Sequence, residues 1–470
     1  MAKEKSARQE KLFYERKNGY EIIDEKEKKA MEAYCRDYMR FLNGARTERE
    51  AVRDGIALAE KKGFKPYTAG MALKAGDKVY YSNRGKSLLL AVIGKQSLAE
   101  GATIAAAHVD SPRLDLKQVP VYEDNEICYF KTHYYGGIKK YQWLTIPLEL
   151  HGVIVLKNGE KVEVCIGRDK SDPIFQISDL LPHLGREQMK KNANDFIKAE
   201  DMDLMVGTVP DKEDVKERVK LAVLDMLNQK YGIIEEDFLS AELCAVPANE
   251  VREVGFDRSL IAGYGHDDRV CAYAELAAIL ETEKPEKTAV CILADKEEIG
   301  SEGVSGMKSQ AFERFMGDLC DGQNVKLAHC FANSFCVSAD VTAAFDPIYS
   351  DNYEKRNASF VNYGMGICKF TGHGGKYDSN DASAEVVSKL RTIFAANDVV
   401  WQLAELGKVD QGGGGTVAMY MAERDIDTID AGVPVLSMHS PYETVAKFDC
   451  YMTFKGIKAV YADNKLKAKI

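Results

Sequence analysis

The sequence predicts an α/β fold interrupted by an inserted domain, and three observations predict it. Residues 88–93, 103–107, 289–294 and 335–339 are short runs, apolar but for Thr103 and Ser338, as strands buried on both faces are. The last three of these runs lead straight into ionisable residues, the pattern of the site-bearing edge of such a sheet. From 113 to 240 the character changes to hairpins and helices without a further chemical motif. The layout expected is therefore an α/β domain in two parts, 1–112 and 241–470, with an inserted domain at 113–240.

Composition narrows the class. At 470 residues the chain exceeds one typical core. It is 45% hydrophobic and 29% charged with a formal net charge of −10, ordinary for a globular protein. Lys and Arg are spread along it, which argues against a nucleic-acid partner. Met1-Ala2-Lys3-Glu4-Lys5 is polar with no apolar core following, and no apolar run approaches the length of a membrane span. No membrane association is expected, and a cytoplasmic location is. The eleven cysteines sit singly, without a CxxC pair, which suggests buried free thiols in a reducing compartment.

Taken in order, residues 1–65 carry helical patterning, with Ala30, Tyr34, Tyr38 and Phe41 at spacings of three and four. Residues 78–81 and 87–93 flank the turn-like Asn83-Arg84-Gly85-Lys86 and read as paired strands. The run 103–107 enters His108-Val109-Asp110-Ser111-Pro112. There His108 is a candidate metal ligand and Asp110 the carboxylate that orients it or another imidazole. Residues 151–156 and 161–166 flank Asn158-Gly159, a hairpin signal. A Lys- and Asn-rich helix is expected near 185–198, then a polar connection at 199–214. Val219, Val223, Met226 and Leu227 mark one face of a further helix.

The α/β pattern resumes near 241. Gly265-His266-Asp267-Asp268-Arg269 precedes an apolar helix at 270–280, so both aspartates lie at a helix N-terminus. Capping accounts for one of them but not for two beside a histidine. The strand 289–294 ends in Asp295-Lys296-Glu297-Glu298-Ile299-Gly300-Ser301. Neighbouring side chains there diverge, so one carboxylate can hold a metal while the other faces a substrate water. A third strand ends in Ser338-Ala339-Asp340, and another, 433–438, ends in His439.

His108, Asp110, Asp267, Glu297, Glu298, Asp340 and His439 thus collect at strand ends and one helix start, most of them expected at one edge of one sheet. Two imidazoles with several carboxylates and no thiolate suit two divalent metals of the zinc, cobalt or manganese kind, provided one carboxylate bridges them.

Five ordered segments, around His108-Val109-Asp110-Ser111-Pro112-Arg113, Gly265-His266-Asp267-Asp268-Arg269, Glu297-Glu298, Ser338-Ala339-Asp340 and Met438-His439-Ser440, resemble the signature segments of the M18 metallo-aminopeptidases. The resemblance spans nearly the whole chain. It implies an α/β, phosphorylase/hydrolase-like zinc-peptidase catalytic domain, an inserted β-rich dimerisation domain and a tetrahedral homododecamer acting on peptides. It implies two metal ions per subunit, zinc first with cobalt or manganese as alternatives. Asp267 would bridge them, with His108 and Asp340 on one and Glu298 and His439 on the other. Glu297 would be the general base and Asp110 the carboxylate orienting a ligand histidine. His183, in Leu181-Pro182-His183-Leu184, resembles a histidine that helps hold substrate in a neighbouring subunit. Lys376 and Tyr377 resemble a basic-Tyr step near the substrate, where a cation favours an acidic N-terminal side chain.

The run 412–415, which includes Gly414, lacks the GK[ST] of a phosphate loop. It reads as a tight turn bordering the substrate pocket. His266 and Arg269 are expected behind the ligands, while His133, His151 and His329 lie among ordinary strand or loop residues. The reaction expected is removal of N-terminal residues from peptides. A two-metal amidohydrolase acting on N-acylated amino acids, or a non-catalytic scaffold, would share the same fold.

Overall fold

Strands covered on both faces need apolar side chains on both, and the central strands have them but for Thr103, His108 and Thr288 at or near their ends. In the computed structural model, which describes residues 6–463, the strands Ala102–His108 and Thr288–Ala294 are buried throughout. Alternate side chains serve opposite cores. Ala105, Ala107, Cys291 and Leu293 face a core shared with Tyr38, Leu276 and Phe448, while Ile104, Ala106, Val290 and Ile292 face one shared with Phe312, Phe315 and Met421. This period of two, with both sets apolar, is why the runs do not alternate with polar residues.

The sheet has nine strands in the order Lys65–Pro66, Lys78–Asn83, Ser87–Val92, Thr288–Ala294, Ala102–His108, Phe335–Ser338, Asp427–Gly432, Met365–Cys368 and Trp401–Leu403. Its centre is parallel from Thr288–Ala294 to Asp427–Gly432, so four chain exits share one edge. Register sets their depth: Ala294 lies opposite His108, and Ser338 opposite Ala106. The helix Glu25–Gly44 buries Met31, Tyr34, Cys35, Tyr38, Phe41 and Leu42. Ala30, expected on that face, is exposed, and Met31 takes the inward position. The helix His266–Leu280 is buried on nearly all sides, as a helix apolar around its circumference must be.

A five-stranded sheet, Arg252–Val254, Leu260–Gly263, Glu443–Ala446, Pro434–Leu436 and Thr342–Ala343, lies apart from the large one in its pairing. The strand leading to His439 belongs here and not to the large sheet, so His439 is not among the candidates gathered at the large sheet's edge. Three short strands of this platform adjoin candidate ligands: Leu260–Gly263 precedes Asp267, Thr342–Ala343 follows Asp340, and Pro434–Leu436 precedes His439.

Residues from Arg113 onward build a six-stranded sheet with its own core, which includes Trp143, Leu150, Leu204 and Phe238. The strand Ala241–Pro247 runs inside it, paired with both Leu148–Val155 and Arg113–Asp124. By pairing it therefore sits with 113–240, although its sequence reads as the return of the α/β pattern. Asn158-Gly159 makes the turn between Leu148–Val155 and Lys161–Ile166. The helix expected near 185–198 is only the short 3-10 turn Gln188–Lys190 and the single turn Ala193–Phe196. With only Phe196 and Ile197, adjacent at its end, packed on the core, that polar segment has no helical apolar face to hold a longer helix. The helix Arg218–Tyr231 buries Val219 and Val223, but Met226 is exposed. Among the described residues, no helix is long and apolar enough to cross a membrane. All eleven cysteines are free, ten of them buried.

Candidate metal centre

The edge geometry converges on Asp267. One of its oxygens, Oδ1, lies 3.2 Å from His108 Nε2, and the other, Oδ2, lies 3.1 Å from His439 Nε2. Asp340 Oδ1 is 3.9 Å from His108 Nε2, and Glu298 Oε2 is 3.6 Å from His439 Nε2. His108, Asp267 and Asp340 form one group of ligand atoms within 4.8 Å of one another, and Asp267, Glu298 and His439 form a second. Glu297 and Glu298 lie in the 3-10 turn Glu297–Ile299 after their strand. Their side chains diverge there, Glu297 Oε2 approaching His108 Nε2 at 3.8 Å while Glu298 turns to His439.

Neighbours fix these groups. His108 Nδ1 meets the Asp110 carbonyl oxygen at 3.0 Å, with the Asp110 carboxylate at 3.4 Å. That carboxylate also accepts the backbone N–H groups of Glu297 and Glu298 and the Tyr135 hydroxyl, so Asp110 holds the turn as well as the imidazole. His439 Nδ1 lies 2.7 Å from the carbonyl oxygen of Gly137, which belongs to the segment joining two parts of the six-stranded domain. Glu443 accepts the backbone N–H of both Asp267 and His439, at 3.0 and 2.7 Å. Ser111 donates to the Asp267 carbonyl at 2.5 Å. The Asp267–Asp268 peptide is cis. Asp268 is buried, and its carboxyl oxygens lack a partner. His266 bonds the Tyr38 hydroxyl at 2.6 Å, and burial pushes its imidazole down to about 3, leaving it neutral. Arg269 is buried, donating to the carbonyls of Val109 and Arg46.

The electrostatics call for cations. Burial, reinforced by neighbouring carboxylates, pushes Glu298 and Asp340 well above the usual carboxylate range and Glu297 up to about 7. For Asp267 burial acts the same way, but His108 and His439 outweigh it and hold the group below its usual value. Glu298 Oε1 is buried without any hydrogen-bond partner. Five candidate ligands, two imidazoles and three carboxylates with one carboxylate common to both groups, are a donor set that two zinc-like ions accept, and the residues fit such a pair.

The cluster opens into a cavity of about 390 Å³ lined also by Phe370, Lys376, Glu405, Lys408, Met438 and the glycines 412–415. Gly413, at φ 120°, packs so closely on the Gly372 carbonyl that a Cβ would lie 1.8 Å from that oxygen. Thr416 anchors the end of this run on buried Asp430 at 2.6 Å. Lys376 lines the cavity with its Nζ 2.8 Å from Asp381. Tyr377 is exposed and does not line the cavity, and His183 is exposed on the six-stranded domain. Sequence reasoning missed Glu443, Gly137 and Tyr135. Only Glu443 left a trace, as a carboxylate four residues after His439.

Comparison with known proteins agrees with this geometry. The M18 family profile, described as aminopeptidase I zinc metalloprotease, matches residues 41–461. A probable M18 family aminopeptidase 1 of Clostridium acetobutylicum is 48% identical over 457 residues, covering 95% of this chain and 98% of its own. The crystal structure of an M18 aminopeptidase from Thermotoga maritima superposes with a TM-score of 0.92 at 43% identity, covering 96% of this chain and 99% of its own. That of aminopeptidase I from C. acetobutylicum gives 0.91 at 46%, covering 96% and 100%. The chain therefore belongs to the M18 family of zinc metallo-aminopeptidases.

Proposed function

We propose that the enzyme is a dinuclear aminopeptidase in which Asp267 is shared by two metal sites, His108 and Asp340 completing one and Glu298 and His439 the other. The observation that carries this is the division of Asp267, one oxygen toward each histidine. Zinc is the expected ion, with cobalt or manganese able to use the same donors. When bound, such a pair acidifies water and polarises a scissile carbonyl.

The chain's own residues do the rest. Glu297, beside His108 and facing the cavity, accepts the proton of the attacking water and returns it to the leaving amine. A carboxyl raised by burial to about 7 suits both halves of that transfer. Asp110 keeps His108 and the glutamate turn in place. Surplus carboxylate around the cluster favours a substrate with a cationic amino terminus. Away from the metal cluster, the cavity lining carries Lys376 and Lys408 with one carboxylate, Glu405, which favours an acidic first side chain. Gly414 and its neighbours form the close backbone wall.

The domain that begins at 113 is proposed as the surface of self-association, up to a tetrahedral dodecamer, and His183 as a residue it brings to a neighbour's cavity. Val119, Leu184, Met189 and Val209 are each more than 60% exposed on it, an apolar load that association would cover. A cytoplasmic site of action accords with eleven unpaired thiols.

The test is hydrolysis of peptides and aminoacyl p-nitroanilides beginning with Asp, Glu, Leu or Lys, free and N-acetylated, after chelation and metal restoration. Cleavage of free substrates alone, restored by metal and fastest for Asp or Glu, is expected. Cleavage confined to acylated amino acids would replace this reading with the amidohydrolase, and a preference for Leu would remove the Lys376 assignment.

A further inference from the structure

A second group of metal-ligating side chains lies away from the candidate active site, where the two domains meet. The helix Glu48–Lys61 of the α/β domain presents Glu50, and the hairpin Leu148–Val155 and Lys161–Ile166 presents His151 and Cys165. His151 and Cys165 are directly opposed in register, so their side chains share one face of the hairpin. One ligand atom from each of the three residues lies within 4.8 Å of the others. We propose that Glu50, His151 and Cys165 form a binding site for a zinc-like divalent cation that clasps the inserted domain to the α/β domain.

The surroundings are those of a prepared site. His151 is fully buried, with Nδ1 3.0 Å from Glu50 Oε1. Its other nitrogen, Nε2, lies 3.2 Å from Glu149 Oε1, and Arg46 holds that same oxygen at 3.1 Å. A carboxylate behind the imidazole is how ligand histidines are oriented. The His151–Glu149 contact is ionic and not an aligned hydrogen bond, since both atoms lack a hydrogen-bond partner by geometry. The second oxygen of Glu50 accepts the backbone N–H groups of Arg46 and Thr47 at 2.8 and 3.2 Å, which fixes the carboxylate at the helix start. Thiolate, imidazole and carboxylate together select zinc or cobalt over calcium or magnesium.

Access also fits. Arg168 lies 3.0 Å from Glu50 Oε1, but its side chain is about a third exposed and borders a cavity of about 310 Å³. It has room to swing aside, and the same cavity leaves a fourth position open to water. Glu50, Glu149 and Glu163 face Arg46, Arg53 and Arg168 here, with Arg49 and Lys161 also on the cavity wall, and the thiolate that Cys165 supplies on binding offsets part of the added charge. Binding displaces one proton from His151 and one from Cys165. In the absence of metal, protonated His151 bridges Glu50 and Glu149 instead.

The test uses the full-length enzyme and Cys165→Ser, both stripped and reloaded with Co²⁺. A cobalt-bound thiolate gives a near-ultraviolet charge-transfer band that imidazole and carboxylate ligands do not. Wild type is expected to show that band, to hold one more Co²⁺ per chain than Cys165→Ser, and to unfold at a higher temperature with metal by a margin the variant lacks. Peptidase turnover should be the same in both. A wild type without the band, equal cobalt in the two proteins, or a band that persists in Cys165→Ser, as binding at cavity-lining Cys368 would give, overturns the proposal. Because the readout is a spectrum and a difference in metal content, it stands apart from the assignment of the peptidase site.

Discussion

Glu297 contributes nothing to holding the ligands together in this structure. Its nearest charged partner is His108 Nε2 at 3.8 Å, and its backbone, not its side chain, is what Asp110 grips. A group so placed is replaceable without dismantling the site. Glu297→Gln keeps the shape and removes the base. It is expected to retain the metal content of wild type and to lose about 10²–10⁴-fold in kcat, measured by metal analysis and steady-state kinetics on the same preparation. Unchanged kcat would remove the base assignment. Glu443 has the opposite character: it touches the backbone of two candidate ligands and acts only through them.

At the scale of elements, the helix start at Glu48–Lys61 and the hairpin carrying His151 form one buried charge cluster. Burial raises Glu50, but the hydrogen bond and charge of His151, aided by Arg168, outweigh it and hold the carboxyl at about 2, below its ordinary 4.5. Burial lowers His151, but Cys165, Glu149 and Glu50 outweigh it and raise the imidazole to about 10, above its ordinary 6.5. Glu50 therefore stabilises the fold above about pH 4.5, and that contribution is lost as pH falls toward 2. His151 stabilises it below about pH 6.5, and that contribution is lost as pH rises through 10. Metal-free enzyme should be most stable between those limits. Glu50→Gln breaks a buried pair, which costs about 3–5 kcal/mol. It should also make the fall in Tm between pH 7 and 10 shallower than in wild type. Equal slopes in the two proteins would show that the pair does not couple to folding.

Elements are legible in the sequence where burial alone decides them. The runs 103–107 and 289–294 are apolar on both faces because both faces are covered, and the residues that end them mark His108, Glu297 and Glu298 as candidates from sequence alone. The strand Ala241–Pro247 misleads for the same reason: its run 243–246 is as apolar as a central α/β strand, yet it pairs in the six-stranded sheet. Short strands such as Thr342–Ala343 and Pro434–Leu436 carry too few residues for a period to show, so the platform that positions His439 leaves no pattern to read. Gly137 leaves no signal at all, since what it offers is a backbone carbonyl, and every residue has one.

At the scale of the whole molecule, the cavity is built from parts that pairing alone would keep apart: the large sheet's edge, the small platform and the Gly137 segment of the inserted domain. A docked six-stranded domain is thus part of the site, besides being the surface proposed for association. Light scattering should report a particle several times the 52.2 kDa chain. Val119→Glu combined with Val209→Glu, which places charge on the exposed apolar load of the insert, should shift it to smaller species. A monomeric wild type would remove both the assembly and the role given to His183.

The sharing of one carboxylate between two metal sites is the centre of the account. Its most direct test is the zinc content of Asp267→Ala, measured in the Cys165→Ser background so that only the candidate active site is counted. With His108, Asp340, Glu298 and His439 all intact, loss of both ions per chain together is predicted, since each group of ligands loses the oxygen it takes from Asp267. A variant that kept one zinc tightly, or both, would contradict the shared site.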